Sequence, residues 1–198
     1  MYSQAGQDEF VYLLTNKNPG FFLDIGAGDG FDRPNGGNSQ FLEENGWNGI
    51  LIECNEEFYS FGKERRSSTF INARIPDVSI LDILDNNNSP KTIDYVSMDI
   101  EPSNLIALKT FPFKEYEFKI LTFEHDLYML GPQQKIESQI ILKDLGYICL
   151  CDNVKIDGLT FEDWWINPKY FNSNFIQNNT FREKEYTDII NKLKEKYE

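Results

Sequence analysis

Short apolar runs rich in β-branched and aromatic residues recur along the chain, separated by amphipathic stretches. The runs are "GFFLDI" (20–25), "GILIE" (49–53), "TFIN" (69–72), "IDYVSMDI" (93–100), "FKILTFEHD" (118–126) and "GYICLCD" (146–152). Between them, "NSQFLEENG" (38–46), "EEFYSFGKERR" (56–66), "PSNLIALKTF" (102–111) and "QQKIESQIILKDLG" (133–146) carry apolar residues at helical spacing. Glycine follows two of these stretches in "NGW" and "DLG", and Pro102 and Pro132 suit first-turn positions. Strand and helix alternating in this way predict a parallel sheet with helices on both faces. "LTFEDWWIN" (159–167) is predicted as a last, antiparallel strand.

No internal repeat interrupts the pattern, and 198 residues suit one domain. Its parts are a helical N-terminal segment (1–18), an α/β core (19–166) and a C-terminal extension (167–198). The extension reads as an Asn-rich connector and a charged helix. A solvated helix, a substrate lid and a dimer contact are all open for it, and the oligomeric state is not legible.

Charge narrows the partners. A net charge of −13 argues against nucleic acid, whose phosphates need a basic face. No apolar run reaches membrane-spanning length, and "MYSQAGQDEF" lacks a basic-then-apolar leader, so no membrane partner is expected. Cys54, Cys149 and Cys151 form no CxxC pair; the last two, alternate in a strand, are expected side by side as buried strand residues. The expectation is a reduced, cytoplasmic protein.

The first strand runs into Asp24-Ile25-Gly26-Ala27-Gly28-Asp29-Gly30. In α/β sheets, ligands bind beyond the carboxyl ends of strands, so this loop sits where a nucleotide-like ligand would lie. A dinucleotide site wants G-x-G-x-x-G. Here the spacing is G-x-G-x-G, led by an acid that suits a cation better than a pyrophosphate. S-adenosylmethionine, with an ammonium, a sulfonium and no phosphate, fits. Glu53, ending the second strand, can accept from both ribose hydroxyls. Asn72 and the amide of Ala73, ending the third, can serve an adenine.

With these residues in view, the chain resembles the FkbM-type S-adenosylmethionine-dependent methyltransferases. The matching segments are "YSQAGQDEFV" (2–11), "FFLDIGAGDGFD" (21–32), "NSQFLEENGWNGILIECN" (38–55), "IDYVSMDIEPSNLIALKTFPF" (93–113) and "ILTFEHD" (120–126). The resemblance implies a class I, Rossmann-like three-layer sandwich with a mostly parallel seven-stranded sheet and an antiparallel last strand. It implies S-adenosylmethionine as methyl donor, held by Gln4, Asp24, Gly26, Ala27, Gly28, Gly30, Asn38, Glu53, Cys54, Asn72, Ala73 and Asp99. It also implies an O-methyltransferase whose acceptor is often a hydroxyl of a sugar, glycan or nucleotide sugar. A non-carbohydrate small molecule or amine, or donor binding without catalysis, are the alternatives.

Methyl transfer to a hydroxyl needs alignment and a proton acceptor, or a metal that acidifies the hydroxyl. Asp99 and Glu101 share one face beyond the fourth strand, and the fifth ends in Glu124, His125 and Asp126. His125, the sole histidine, is the expected general base, with Asp99 and Glu101 beside it. Alternatively Asp99, Glu124 and His125 hold Mg²⁺ or Mn²⁺. One departure bears on the acceptor: Glu101-Pro102 stands where the family usually has Glu-Gly, and proline removes an amide donor.

Overall fold

The computed structural model describes residues 2–30 and 37–197, so Phe31 and Asp32 of the glycine-loop segment lie outside the described residues. The strands are β1 (Phe21–Ile25), β2 (Asn48–Glu53), β3 (Thr69–Asn72), β4 (Thr92–Met98), β5 (Glu117–Glu124), β6 (Ile148–Ile156), β7 (Leu159–Ile166) and β8 (Phe181–Arg182). The helices are α1 (Gln7–Leu14), α2 (Gln40–Glu44), α3 (Glu56–Lys63), α4 (Ile80–Asn86), α5 (Asn104–Lys109), α6 (Leu127–Leu130), α7 (Gln133–Asp144), α8 (Ser173–Asn178) and α9 (Tyr186–Tyr197).

The strands form one sheet in the order β3-β2-β1-β4-β5-β7-β6-β8. Neighbours from β3 to β5 are parallel, and β7 runs antiparallel between β5 and β6. The expected antiparallel last strand is β7; the two-residue β8, which pairs with β6, lies in the segment read as a connector. Gly46 and Gly146, just past α2 and α7, have φ of 88° and 86°, the left-handed conformation that ends a helix most cheaply in glycine. Helix α4 is too short to leave a clear periodic pattern in the sequence. Its core face is only Ile80, Ile83 and Leu84, behind a Ser79 cap that accepts from the amide of Asp82 at 3.3 Å.

Alternation along the strands builds a core on each face of the sheet. Phe22, Leu51, Tyr95 and Trp164 pack with Phe10, Leu42, Ile189 and Leu193 on one face. Leu23, Ile50, Val96 and Trp165 pack with Ile83, Leu84, Ala107 and Leu142 on the other. The tail helix is therefore not merely solvated: α9 buries Ile189, Ile190 and Leu193, and Lys194 meets Glu9 of α1 at 2.5 Å.

One local expectation is corrected. A register shift between Cys149 and Cys151 turns them to opposite faces, so they do not sit side by side. All three cysteines are free thiols, Cys54 exposed, Cys149 half-buried and Cys151 buried. Among the described residues, no helix is long and apolar enough to cross a membrane.

Candidate functional site

A cavity of about 440 Å³ opens at the carboxyl ends of the parallel strands. Gly26 and Gly28 line it from β1, Glu53 and Cys54 from β2, Ala73 from β3, and Asp99 and Glu101 from β4, while Gln4 reaches it from the N-terminal segment. The glycines have a steric reason. Gly26 has φ of 85°, and a Cβ there would lie 1.7 Å from the carbonyl oxygen of Asp99. Gly28 donates its amide to Oε2 of Glu53 at 3.0 Å, and Oε1 accepts from the amide of Asn55 at 2.7 Å. Each carboxylate oxygen keeps a lone pair for a ligand hydroxyl.

Several residues expected to touch the donor lie behind the cavity wall. Asp24 is fully buried, and its Oδ2 accepts from the amide of Asn38 at 3.0 Å and the hydroxyl of Ser39 at 2.7 Å. Burial raises its pKa against those bonds and the charge of Arg66. Asn38 donates its side-chain amide to Ser97 at 2.9 Å, and Ala27 is buried. The carbonyl of Gly30 accepts from Arg66, whose guanidinium also meets Glu43 at 3.2 Å. These groups brace the glycine loop. The amide of Ala73 donates to the carbonyl of Glu53 at 3.0 Å and so is not free for a purine. Asn72 is exposed and donates to Glu56.

At the other end, carboxylate oxygens of Asp99, Glu101 and Glu124 lie within 4.8 Å of one another. Burial above all pushes their pKa values up: Asp99 to about 6, against the hydrogen bonds it makes with Glu124 and Glu101, and, with repulsion from Asp99 added, Glu101 to about 9 and Glu124 furthest. Glu162, raised to about 8 by burial, lies close enough for its charge to raise Glu124 further. It accepts from the indole of Trp164 at 2.5 Å and from Gln7 at 3.2 Å. The fully buried Asn104 joins the two strand ends. Its Oδ1 accepts from the amide of Ile100 at 2.8 Å, and its Nδ2 donates to Glu101 and, at 2.9 Å, to the carbonyl of Glu124. Three converging carboxylates form an oxygen set of the kind that holds a hard divalent cation.

His125 does not join them, and this corrects the expectation of a base or metal ligand beside Asp99. Residues Glu124 and His125 follow one another off β5, so their side chains leave on opposite faces. His125 is fully buried, its Nδ1 accepts from the amide of Leu127 at 3.3 Å, and its Nε2 lies 3.4 Å from Asp163. Burial resists ionisation of Asp163, but His125 and Lys135 outweigh it and hold the pKa down at about 2. Lys135 bridges Asp163 and Asp152, at 3.4 and 2.6 Å. An enclosed imidazole in such a network has no path to an acceptor.

The comparisons with known proteins agree with this geometry at the level of fold. No family model matches the chain, and no curated protein matches it. Among solved structures, an S-adenosylmethionine-dependent methyltransferase from Aquifex aeolicus aligns over 84% of this chain and 90% of its own, with TM-score 0.52 and 16% identity. A TehB-like S-adenosylmethionine-dependent methyltransferase from Corynebacterium glutamicum aligns over 83% and 88%, with TM-score 0.50 and 12% identity. The chain has the class I methyltransferase fold. The plantazolicin methyltransferase BpumL, solved with S-adenosylhomocysteine, aligns over 82% of both chains, with TM-score 0.52 and 11% identity. At such identities the likeness is one of fold, and the class I fold puts the cavity at its usual ligand position.

Arg66, Asn104 and the cavity residues Phe58 and Arg74 were not singled out from sequence. Arg66 sits in "KERR", where nothing marks which cation turns inward. Asn104 follows the Pro102 departure and had a cue only in its place at the strand end.

Proposed function

We propose that the protein transfers a methyl group from S-adenosylmethionine to a hydroxyl of a neutral sugar or glycan. The observation that carries this is one cavity whose walls run from Glu53 and the glycine loop to Asp99 and Glu101, whose carboxylates cluster with that of Glu124. The donor's adenosine lies toward Glu53 and its sulfonium toward Asp99. The fold likeness and the FkbM-type segments support the donor; the carboxylate cluster supports a polar acceptor without phosphate, because the ionised Asp99 repels a phosphorylated one.

In the transfer, the bond from sulfur to methyl breaks as the bond from methyl to acceptor oxygen forms, leaving S-adenosylhomocysteine. The hydroxyl proton passes to a carboxylate. Asp99, with a pKa near 6, is largely ionised at neutral pH and takes it, while Glu101 and Glu124 retain protons and donate to neighbouring acceptor oxygens. A metal-assisted version has a specific observation in its favour, the three convergent carboxylates. Asp99, Glu101 and Glu124 would hold Mg²⁺ or Mn²⁺, which would acidify the hydroxyl.

Incubation with methyl-labelled donor and a panel of neutral oligosaccharides, nucleotide sugars and amines tests the reading, with and without chelator. Label is expected in a neutral carbohydrate, and loss of transfer on chelation selects the metal-assisted version. Label in amines alone, or donor binding without transfer to any acceptor, would reject it.

A further inference from the structure

The cavity walls hold Glu53, Asp99 and Glu101, yet one basic residue, Arg74, also lines them. Its side chain makes no hydrogen bond, ion pair or ring contact among the described residues. That is notable in a chain with 32 acidic and 19 basic residues, where carboxylates are abundant. By contrast, Arg66 is engaged with Glu43, and Arg65 lies over the ring of Phe61 at 3.9 Å. The guanidinium of Arg74 is therefore available to whatever enters the cavity.

Its place along the ligand follows from the sheet order. Glu53 pairs with Asn72 across β2 and β3, so Cys54 and Ala73 continue the two strands side by side and Arg74 comes next. The ribose acid is on β2 and the methyl-transfer carboxylates are on β4, with β1 between. Arg74 thus stands on the far side of Glu53 from Asp99, beyond the ribose, where the purine lies. Phe58 from α3 and Ile75 supply apolar surface at this end. The amide of Ala73 and the side chain of Asn72 are both engaged elsewhere, which leaves the purine short of edge contacts.

Resting on the donor reading above, we propose that Arg74 holds the adenine by laying its guanidinium plane against the ring. A planar, weakly hydrated cation stacks on a π face as well as attracting it, which an ammonium does less well. The low polarity contributed by Phe58 and Ile75 strengthens the contact by keeping water from the ring. Arg74 is then a determinant of adenine recognition, separate from the acids that hold ribose and acceptor.

Calorimetry with S-adenosylhomocysteine and with adenosine, on the parent protein, Arg74→Ala and Arg74→Lys, tests this. Arg74 is exposed, so both variants are expected to fold, which circular dichroism checks. Arg74→Ala should weaken both ligands by the same factor, about 3- to 30-fold, and Arg74→Lys should recover little of it. Three results would overturn the inference: unchanged affinity in Arg74→Ala, a loss for S-adenosylhomocysteine but not adenosine, or full recovery in Arg74→Lys. The second result moves the contact to the amino-acid end, and the third makes charge alone responsible. A parent protein that binds neither ligand would overturn the donor reading and this inference with it.

Discussion

The amide of Gly28 donates to Oε2 of Glu53 at 3.0 Å, so the glycine loop positions the carboxylate that we propose faces the ribose. Glycine loop and carboxylate are one hydrogen-bonded unit. Glu53→Ala removes the ligand contacts and frees the loop; Glu53→Gln keeps one acceptor. We expect donor affinity to fall by about 10²-fold in the alanine variant and less in the glutamine variant, since bonds to a charged group contribute about 1.5–3 kcal/mol each. Titration calorimetry with S-adenosylhomocysteine measures both, and parental affinity in Glu53→Ala would remove Glu53 from the donor site.

Gly26→Ala is a steric test of the same loop. Its Cβ would collide with backbone, the carbonyl of Asp99, which has no flexible side chain to yield. The loop or the end of β4 must move, and either shift disturbs donor and acceptor ends together. Donor binding should drop below detection in a chain that retains its sheet, as read by calorimetry beside far-ultraviolet circular dichroism. Near-parental binding would contradict the close approach.

The carboxylate cluster predicts a pH trend in the ligand-free protein. Asp99, Glu101 and Glu124 have folded-state pKa values above their ordinary range. Between about pH 4 and 9 the folded chain therefore binds more protons than the unfolded one, and stability falls as pH rises. Asp163 and Glu43, both held down at about 2, act oppositely, but their contribution fades only as pH falls below about 4. Differential scanning fluorimetry from pH 5.5 to 8.5 should show a falling Tm. Glu124→Gln, which removes a buried carboxyl that stays neutral only by holding a proton above its ordinary pKa, should raise Tm at pH 8.5 more than at 5.5. A Tm that climbs through this range would refute the trend.

His125→Ala should act on stability alone. Removing a fully buried side chain from the Asp163–Lys135 network is expected to cost about 2 kcal/mol, or roughly 4–8 °C in Tm for a chain of this size. Affinity for S-adenosylhomocysteine should stay within about twofold. Thermal melts and calorimetry on one preparation separate the two effects, and lost donor affinity without lost Tm would return His125 to the site.

Period and spacing made the strand ends legible, and with them Gly26, Glu53, Asp99 and Glu101, because ligands in this sheet type lie past those ends. The same periodicity misplaces His125. "FEHD" reads as one cluster, although consecutive residues leaving a strand face opposite sides, and only Glu124 shares the face of Asp99. Asp24 was legible as part of the loop but not as its buried brace, since its hydrogen-bond partner Ser39 is 15 residues further along and Arg66, whose charge acts on it, lies further still. Such long-range polar pairing leaves no periodic trace. The cysteine pair was misplaced by a bulge, which breaks strand parity without a sequence mark.

The packing of α9 on α1 ties the donor cavity to a distant part of the chain. Gln4 lines the cavity, and the segment that carries it is pinned by Asp8, which accepts from the amide of Tyr2 at 2.7 Å and the hydroxyl of Ser3 at 2.6 Å. Helix α1 in turn leans on Ile189, Ile190 and Leu193. A ligand that fixes Gln4 therefore disfavours every opening in which α9 swings away. Cleavage by trypsin after Lys192 or Lys194 becomes a gauge of occupancy: the C-terminal helix should be cut more slowly when S-adenosylhomocysteine is bound, although no residue of that helix touches it.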